Sequence, residues 1–340
     1  MSTMPQVWIT GPGEVGVREA AAPLPGPGEV VVETAFAGIC GSDLHTLRRG
    51  HPWLPYPIAP GHEASGVVVE VGEGVAPSRR GEHVYLQPVV ACGRCFYCRR
   101  GRTNLCDELV GVGSHVPGAF ADRFVVPAAA ARPMPAGMTF AQAALVEPFA
   151  TVAHALRLVG GVAGATVAVL GGGSIGQACL LGALASDAEA VVLTDPVAGK
   201  RERARSLGAR AALDPTAPDL RAVVSAELGG RPDVVIDCVA SPATVQSAVG
   251  LAVKGGSVLV VGVGHGPVEL AIEVLQDQEV AVIGSAMYTA EDFDRAEEIV
   301  QGTASEQLVT AVVPMAQAAE GFALAVAGEQ TKVHLSGPAA

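Results

Sequence analysis

Along the chain, the spacing of apolar positions changes character once. From Gln6 to about Pro127, short β-branched runs at residues 30–35, 64–71 and 83–88 alternate with Gly/Pro turns. Runs of this kind bounded by such turns predict strands. One helical stretch, residues 42–49, interrupts them. Between Gly160 and Gly164 the composition turns to glycine and alanine, and strand then alternates with helix. Strands are predicted there at 166–170, 190–194, 234–238, 257–261 and 280–283, and helices at 174–186, 200–207, 220–228 and 243–253. This alternation requires a parallel sheet with right-handed crossovers, an α/β fold. The tail is mixed, with helices near 291–301 and 315–327 and strands near 308–313 and 332–335. The pattern divides the chain into a β-rich region, 1–150, a doubly wound region, 151–286, and a return to the first, 287–340.

Composition narrows the classes. A chain of 340 residues exceeds one ordinary core. Hydrophobic residues at 49% against 16% charged fit a folded globular chain, not a disordered one. The net charge of −12 counts against the clustered positive surface that nucleic acid requires, and disfavours anionic membranes. No basic region followed by an apolar run opens the chain, so no secretory signal is expected. The most apolar stretch, 159–182, is too often broken by glycine to span a membrane. Seven cysteines, four of them between Cys92 and Cys106, point to metal ligation in a reducing compartment, with the cytoplasm as the default.

Gly171-Gly172-Gly173-Ser174-Ile175-Gly176 supplies G-x-G-x-x-G between a predicted strand and a predicted helix. Gly171 permits the turn, Gly173 the approach of backbone to a pyrophosphate, and Gly176 close helix–strand packing. The helix amides then meet the phosphate charge. Asp195 ends the next strand, where a carboxylate accepts from the ribose hydroxyls and repels a 2′-phosphate, favouring NAD. Lys200 and Arg201 follow closely, within reach of a 2′-phosphate. A plain glycine turn is the bland alternative, and the strand, helix and acid in register count against it.

Cys92, Cys95, Cys98 and Cys106 form C-x2-C-x2-C-x7-C, the spacing of a closed tetrahedral zinc site that stabilises a loop and leaves no position for chemistry. Disulfides between such near neighbours are the weaker reading. Cys40, His62, Glu63 and Glu147 remain. Taken singly they read equally well as a buried thiol, a core histidine and a helix-start carboxylate.

Together these motifs resemble the zinc-dependent medium-chain dehydrogenases: the segment Gly38 to His45, Gly61-His62-Glu63, the four-cysteine lobe, Glu147-Pro148 and the glycine fingerprint fall in that family's order over essentially the whole chain. The likeness is to the sorbitol, threonine and butanediol dehydrogenase branch, because Glu147 stands where the alcohol dehydrogenases of that superfamily use cysteine. The resemblance implies a GroES-like β-rich catalytic domain, a Rossmann domain, and an active site in the cleft. It implies two zincs per chain, NAD, a small-molecule alcohol substrate (secondary alcohol, diol, polyol or cyclitol) and a homodimer or homotetramer. It puts Cys40, His62 and Glu147 around a catalytic zinc, with Glu63 either a ligand or a close carboxylate behind it. Asp43 is read as orienting His62. Ser42 is implied to accept the substrate's hydroxyl proton and His45 to pass it on, while bound zinc acts as Lewis acid and nicotinamide receives hydride. For Ser42 a helix N-cap is the competing reading.

Some positions depart from the family pattern. The arginine that sorbitol dehydrogenases carry near Met287 is absent, and Arg123 replaces a frequent tyrosine. Trp53, His115 and Met287 are candidate pocket residues. Cys179 and Cys238 read as core thiols. A zinc-free enone or quinone reductase on the same fold, or a silent homologue acting as a binding protein, are the alternatives. The first would not need Cys40, His62 and Glu147 together.

Overall fold

The computed structural model describes residues 3–51, 54–264 and 266–340, so Trp53 falls outside the described residues. The chain forms two compact units. The first comprises Met1–Glu147, Thr289–Gln301 and Val309–Ala340; the second comprises Pro148–Tyr288 and Gly302–Leu308.

The first unit is built on a 7-stranded sheet. Its central strand, Glu29–Gly38, pairs antiparallel with Glu63–Val71, with Arg123–Pro127 and with the C-terminal strand Lys332–Ser336. Covered on both faces, Glu29–Gly38 carries Val30, Val31, Val32, Ala35 and Ala37, all at most 1% exposed. That explains its near-continuous apolar run in place of strict alternation. The register sets Gly38 opposite both Glu63 and His334. The tail helix Ala290–Gly302 is fastened to this sheet by the Tyr85 hydroxyl bonded to Glu297, by Arg132 bonded to Asp294 at 2.5 Å, and by Tyr85 stacked on Phe293.

The second unit holds a 6-stranded sheet, parallel throughout. Its spatial order is Ala211–Leu213, Ala190–Thr194, Thr166–Leu170, Val234–Asp237, Ser257–Val260, Ala281–Gly284. Numbered along the chain this is 3-2-1-4-5-6, the doubly wound order. The strand Ala211–Leu213 is not predicted from sequence. At three residues it is too short to show a period, and it forms because Ala190–Thr194 offers it an edge. Helix Ile272–Gln278 also escapes the sequence reading, and of helix Val146–Leu158 only the start is read, at Glu147. Among the described residues, no helix is long and apolar enough to cross a membrane.

Candidate metal and nucleotide sites

Helix Gly41–Arg49 begins at Cys40, whose extended backbone makes it the N-cap. Asp43, in the first turn, reaches back so that its Oδ2 accepts from the Cys40 N–H at 2.9 Å. Its other oxygen lies 3.8 Å from His62 Nδ1. The N-cap reading of Ser42 is therefore corrected: Cys40 holds that position, and Ser42 sits inside the first turn with its side chain exposed. His45 lies one turn further on, partly buried.

His62 is presented by a turn with little freedom. Gly61 has φ +109°, and a Cβ there would stand 2.5 Å from the Phe120 amide nitrogen. The next residue, Glu63, opens strand Glu63–Val71 and is 0% exposed. The donor atoms of Cys40, His62 and Glu63 all lie within 4.8 Å of one another. Glu147, near the start of helix Val146–Leu158, is 8% exposed and is not part of that triplet. Its charge nevertheless acts on His62 and on Lys332.

Burial works against a charged His62, but Asp43, then Cys40, then Glu147 hold its pKa well above the ordinary value. Burial raises the carboxyl pKa of Asp43 despite His62. A thiol, an imidazole and carboxylates that together favour a cation have the donor chemistry of a zinc site.

Lys332 was not singled out by sequence, where it reads only as the first residue of a tail strand. Its ammonium is fully buried and bonds both oxygens of Glu63, at 2.8 and 2.6 Å, and the Ile39 carbonyl at 3.2 Å. His334 follows two residues later at 0% exposure, and neither ring nitrogen has a hydrogen-bond partner among the described residues. Burial, then Lys332, pushes its pKa down to about 3, so it stays neutral.

In the cysteine lobe the four Sγ atoms lie within 4.8 Å of one another, and none of the seven cysteines is paired in a disulfide. The Cys92 N–H donates to Cys106 Sγ at 3.2 Å, and Gly93 and Gly101 both turn through φ +73°. Amides aimed at sulfur favour thiolate. The backbone N–H groups of Cys98 and Asp107 bring the Cys95 thiol down to about 6, while burial pushes Cys98 up to about 12. Four sulfurs in this cradle fit one tetrahedral ion.

In the second unit, Gly171 has φ +96°, and a Cβ on Gly176 would stand 1.7 Å from the Gly171 carbonyl oxygen. Gly173 caps helix Ser174–Leu184 and has open space where a Cβ would be. Ile175 lies in the first turn of that helix beside Ser174. The Gly172 N–H donates to Asp195 Oδ2 at 2.7 Å, and the Val197 N–H donates to Oδ1 at 2.8 Å. Arg201 donates to the Asp195 carbonyl at 2.8 Å and pairs with Asp214 at 3.1 Å. The bare turn and free helix N-terminus fit a dinucleotide pyrophosphate.

The other candidates fall outside these clusters. Arg123 is held by Glu33 at 2.8 Å across the sheet, His115 is exposed and accepts from the Gly111 N–H, and Met287 is 37% exposed. Cys179 and Cys238 lie with their sulfurs 3.8 Å apart.

Comparison with known proteins places this geometry. Residues 26–136 match the alcohol dehydrogenase GroES-like domain, and residues 174–302 match the zinc-binding dehydrogenase domain. The L-galactonate-5-dehydrogenase of Escherichia coli K12 is 33% identical over 328 residues, 95% of either chain. The chain belongs to the zinc-binding alcohol dehydrogenase family. Two solved structures of the family carry nucleotide. An alcohol dehydrogenase of Escherichia coli CFT073 holds NADH, at 30% identity and TM-score 0.92 over 99% of this chain and 100% of that one. A structure from Sinorhizobium meliloti 1021 holds NADP, at 33% identity and TM-score 0.93 over the same shares.

Proposed function

We propose that this protein is an NAD-linked dehydrogenase that oxidises a secondary hydroxyl of a polyol, diol or sugar acid to the ketone. The observation that carries the reading is the cluster of Cys40, His62 and Glu63 donors within 4.8 Å, with the Glu147 charge acting on it. Cys40, His62 and a carboxylate would hold the catalytic zinc, and the four-cysteine lobe a second, structural one. When bound, the zinc supplies Lewis-acid activation of the hydroxyl, and NAD accepts the hydride.

The chain's own groups do the rest. Asp43 orients His62. Ser42 accepts the hydroxyl proton and His45 carries it to solvent. Gly171, Gly173, Ser174, Ile175 and Gly176 receive the pyrophosphate. Asp195 supports the preference for NAD, because its carboxylate occupies the ribose corner and Arg201 is already engaged by the Asp195 carbonyl and Asp214. Unpaired thiols throughout favour the cytoplasm. The sheet edge Ala281–Gly284, with Val282, Val263 and Ile272 exposed, favours a homo-oligomer.

The test is a panel of vicinal diols, polyols, cyclitols and aldonates, each offered with NAD or NADP and followed by nicotinamide absorbance. Reduction of NAD by at least one of these classes is expected. No turnover with any, or a clear preference for NADP, would overturn the corresponding part of the proposal.

A further inference from the structure

We infer that His115, with His51 beside it, forms a subsite for a carboxylate, so that the substrate is an open-chain sugar acid and not the matching neutral polyol. The inference rests on the dehydrogenase reading above and narrows its substrate class.

His115 is displayed on a loop fixed to the turn that presents His62. Gly113 and Gly118 lie so close to Gly61 that a Cβ on either would stand 2.7 and 2.3 Å from the Gly61 carbonyl oxygen. That oxygen accepts from the Ala119 N–H at 2.9 Å, and the Gly118 N–H donates to the Ala59 carbonyl at 2.9 Å. His51 follows the helix that starts at Cys40. The chain beyond it is tied back to that helix by the Tyr56 hydroxyl, which donates to the Thr46 carbonyl at 2.6 Å. The two imidazoles meet edge to face, with ring centroids 6.5 Å apart. All of these residues belong to the first unit.

The His115 ring has its proton placed for it. Nδ1 accepts the Gly111 N–H at 3.0 Å, so the proton of the neutral ring sits on Nε2. The residue is exposed, which leaves that N–H as a donor to a ligand. Burial, then His115, lowers the pKa of His51, so this ring too is neutral at pH 7.

The charge around the pair selects what fills the site. The chain as a whole is acidic, at −12, yet residues 44–62 hold His45, Arg48, Arg49, His51 and His62 with no Asp or Glu. Residues 109–121 hold His115 and again no acid, and Glu108 just before them is paired with Arg94. A carboxylate here meets an N–H donor and a local excess of positive charge, with no anion in either segment to repel it. A terminal hydroxyl accepts the same hydrogen bond without the charge and is held more weakly.

Steady-state kinetics with NAD on matched pairs test this: gluconate against glucitol, galactonate against galactitol, mannonate against mannitol. The wild type is expected to oxidise at least one acid with a higher kcat/KM than its alditol. His115→Phe keeps a ring and removes both nitrogens. It is expected to lower that acid-to-alditol ratio by about 10- to 100-fold, the loss that follows from one hydrogen bond to a charged group, and to do so through the KM of the acid. His51→Phe is expected to lower the ratio as well, and carries the test should His115→Phe fail to fold. A ratio unmoved in the folded variants would overturn the subsite, as would a wild type that prefers alditols, diols or hexitol phosphates to every acid. A wild type that oxidises none of these compounds would overturn the dehydrogenase reading beneath it.

Discussion

Asp43 serves two neighbours with one carboxylate, capping the Cys40 amide and facing His62. Helix start and imidazole are therefore set by the same side chain, and the two donors it positions come from separate strands of sequence. In the metal-free protein, the raised His62 pKa means that its share of stability is fully present below the ordinary value of 6.5 and is lost as pH rises through the higher folded value. Metal, in turn, needs the neutral ring. Zinc uptake at neutral pH should release a proton and weaken as pH falls, which calorimetry in buffers of different ionisation enthalpy measures; uptake with no proton release would contradict the assignment. Ser42→Ala is expected to lower kcat by about 10²- to 10⁴-fold and to alter its pH profile. Unchanged turnover across pH would remove Ser42 from the relay. At this scale the sequence was readable wherever a residue sits in a local motif. Cys40, His62 and the four lobe cysteines announce themselves by spacing. Lys332 does not, because it reaches Glu63 through strand pairing across 269 residues, and nothing adjacent to it in the chain marks the contact.

Elements carry the next set of consequences. The cysteine lobe has short two-residue strands and single helical turns around it, so the proposed metal would be its main tie. Cys98→Ser should lower the melting temperature by several degrees, each kcal/mol being worth about 2–4 °C for a unit of this size, while the residual folded enzyme keeps its turnover. Unchanged melting with selective loss of turnover would contradict a structural role. The glycine turn is tighter: Gly176→Ala places a methyl 1.7 Å from the Gly171 carbonyl, and nucleotide binding should be lost by fluorescence titration even where the variant folds. Long periodic elements were legible because burial on one face writes a period into the sequence. The three-residue strand Ala211–Leu213 was not, since its place is fixed by the neighbouring edge and not by its own residues. Helix Val146–Leu158 is apolar almost all round, with Val146, Phe149, Ala150, Val152, Ala153, Ala155 and Leu156 buried. A buried helix of that kind shows no polar face to reveal its course beyond the start marked by Glu147.

For the whole molecule, the sequence of strands is interleaved: the residues gathered around Cys40 and His62 arrive from the ends of Glu29–Gly38, Glu63–Val71 and the C-terminal strand Lys332–Ser336, and the chain must return from the second unit to supply Lys332. The 3-2-1-4-5-6 sheet of the second unit puts the glycine turn at the end of its first strand, where the order reverses and ligands of such sheets bind. The fold class follows from periodicity because both units are regular, whereas the identity of the alcohol does not, because the residues that would select it lie on loops of no fixed pattern. The account stands on a second metal at Cys40 and His62. Zinc analysis of purified protein beside its Cys40→Ser variant tests that most directly. About two zinc per chain are predicted for the wild type and about one for the variant, the lobe alone remaining filled. One zinc in the wild type, or two retained in the variant, would contradict it.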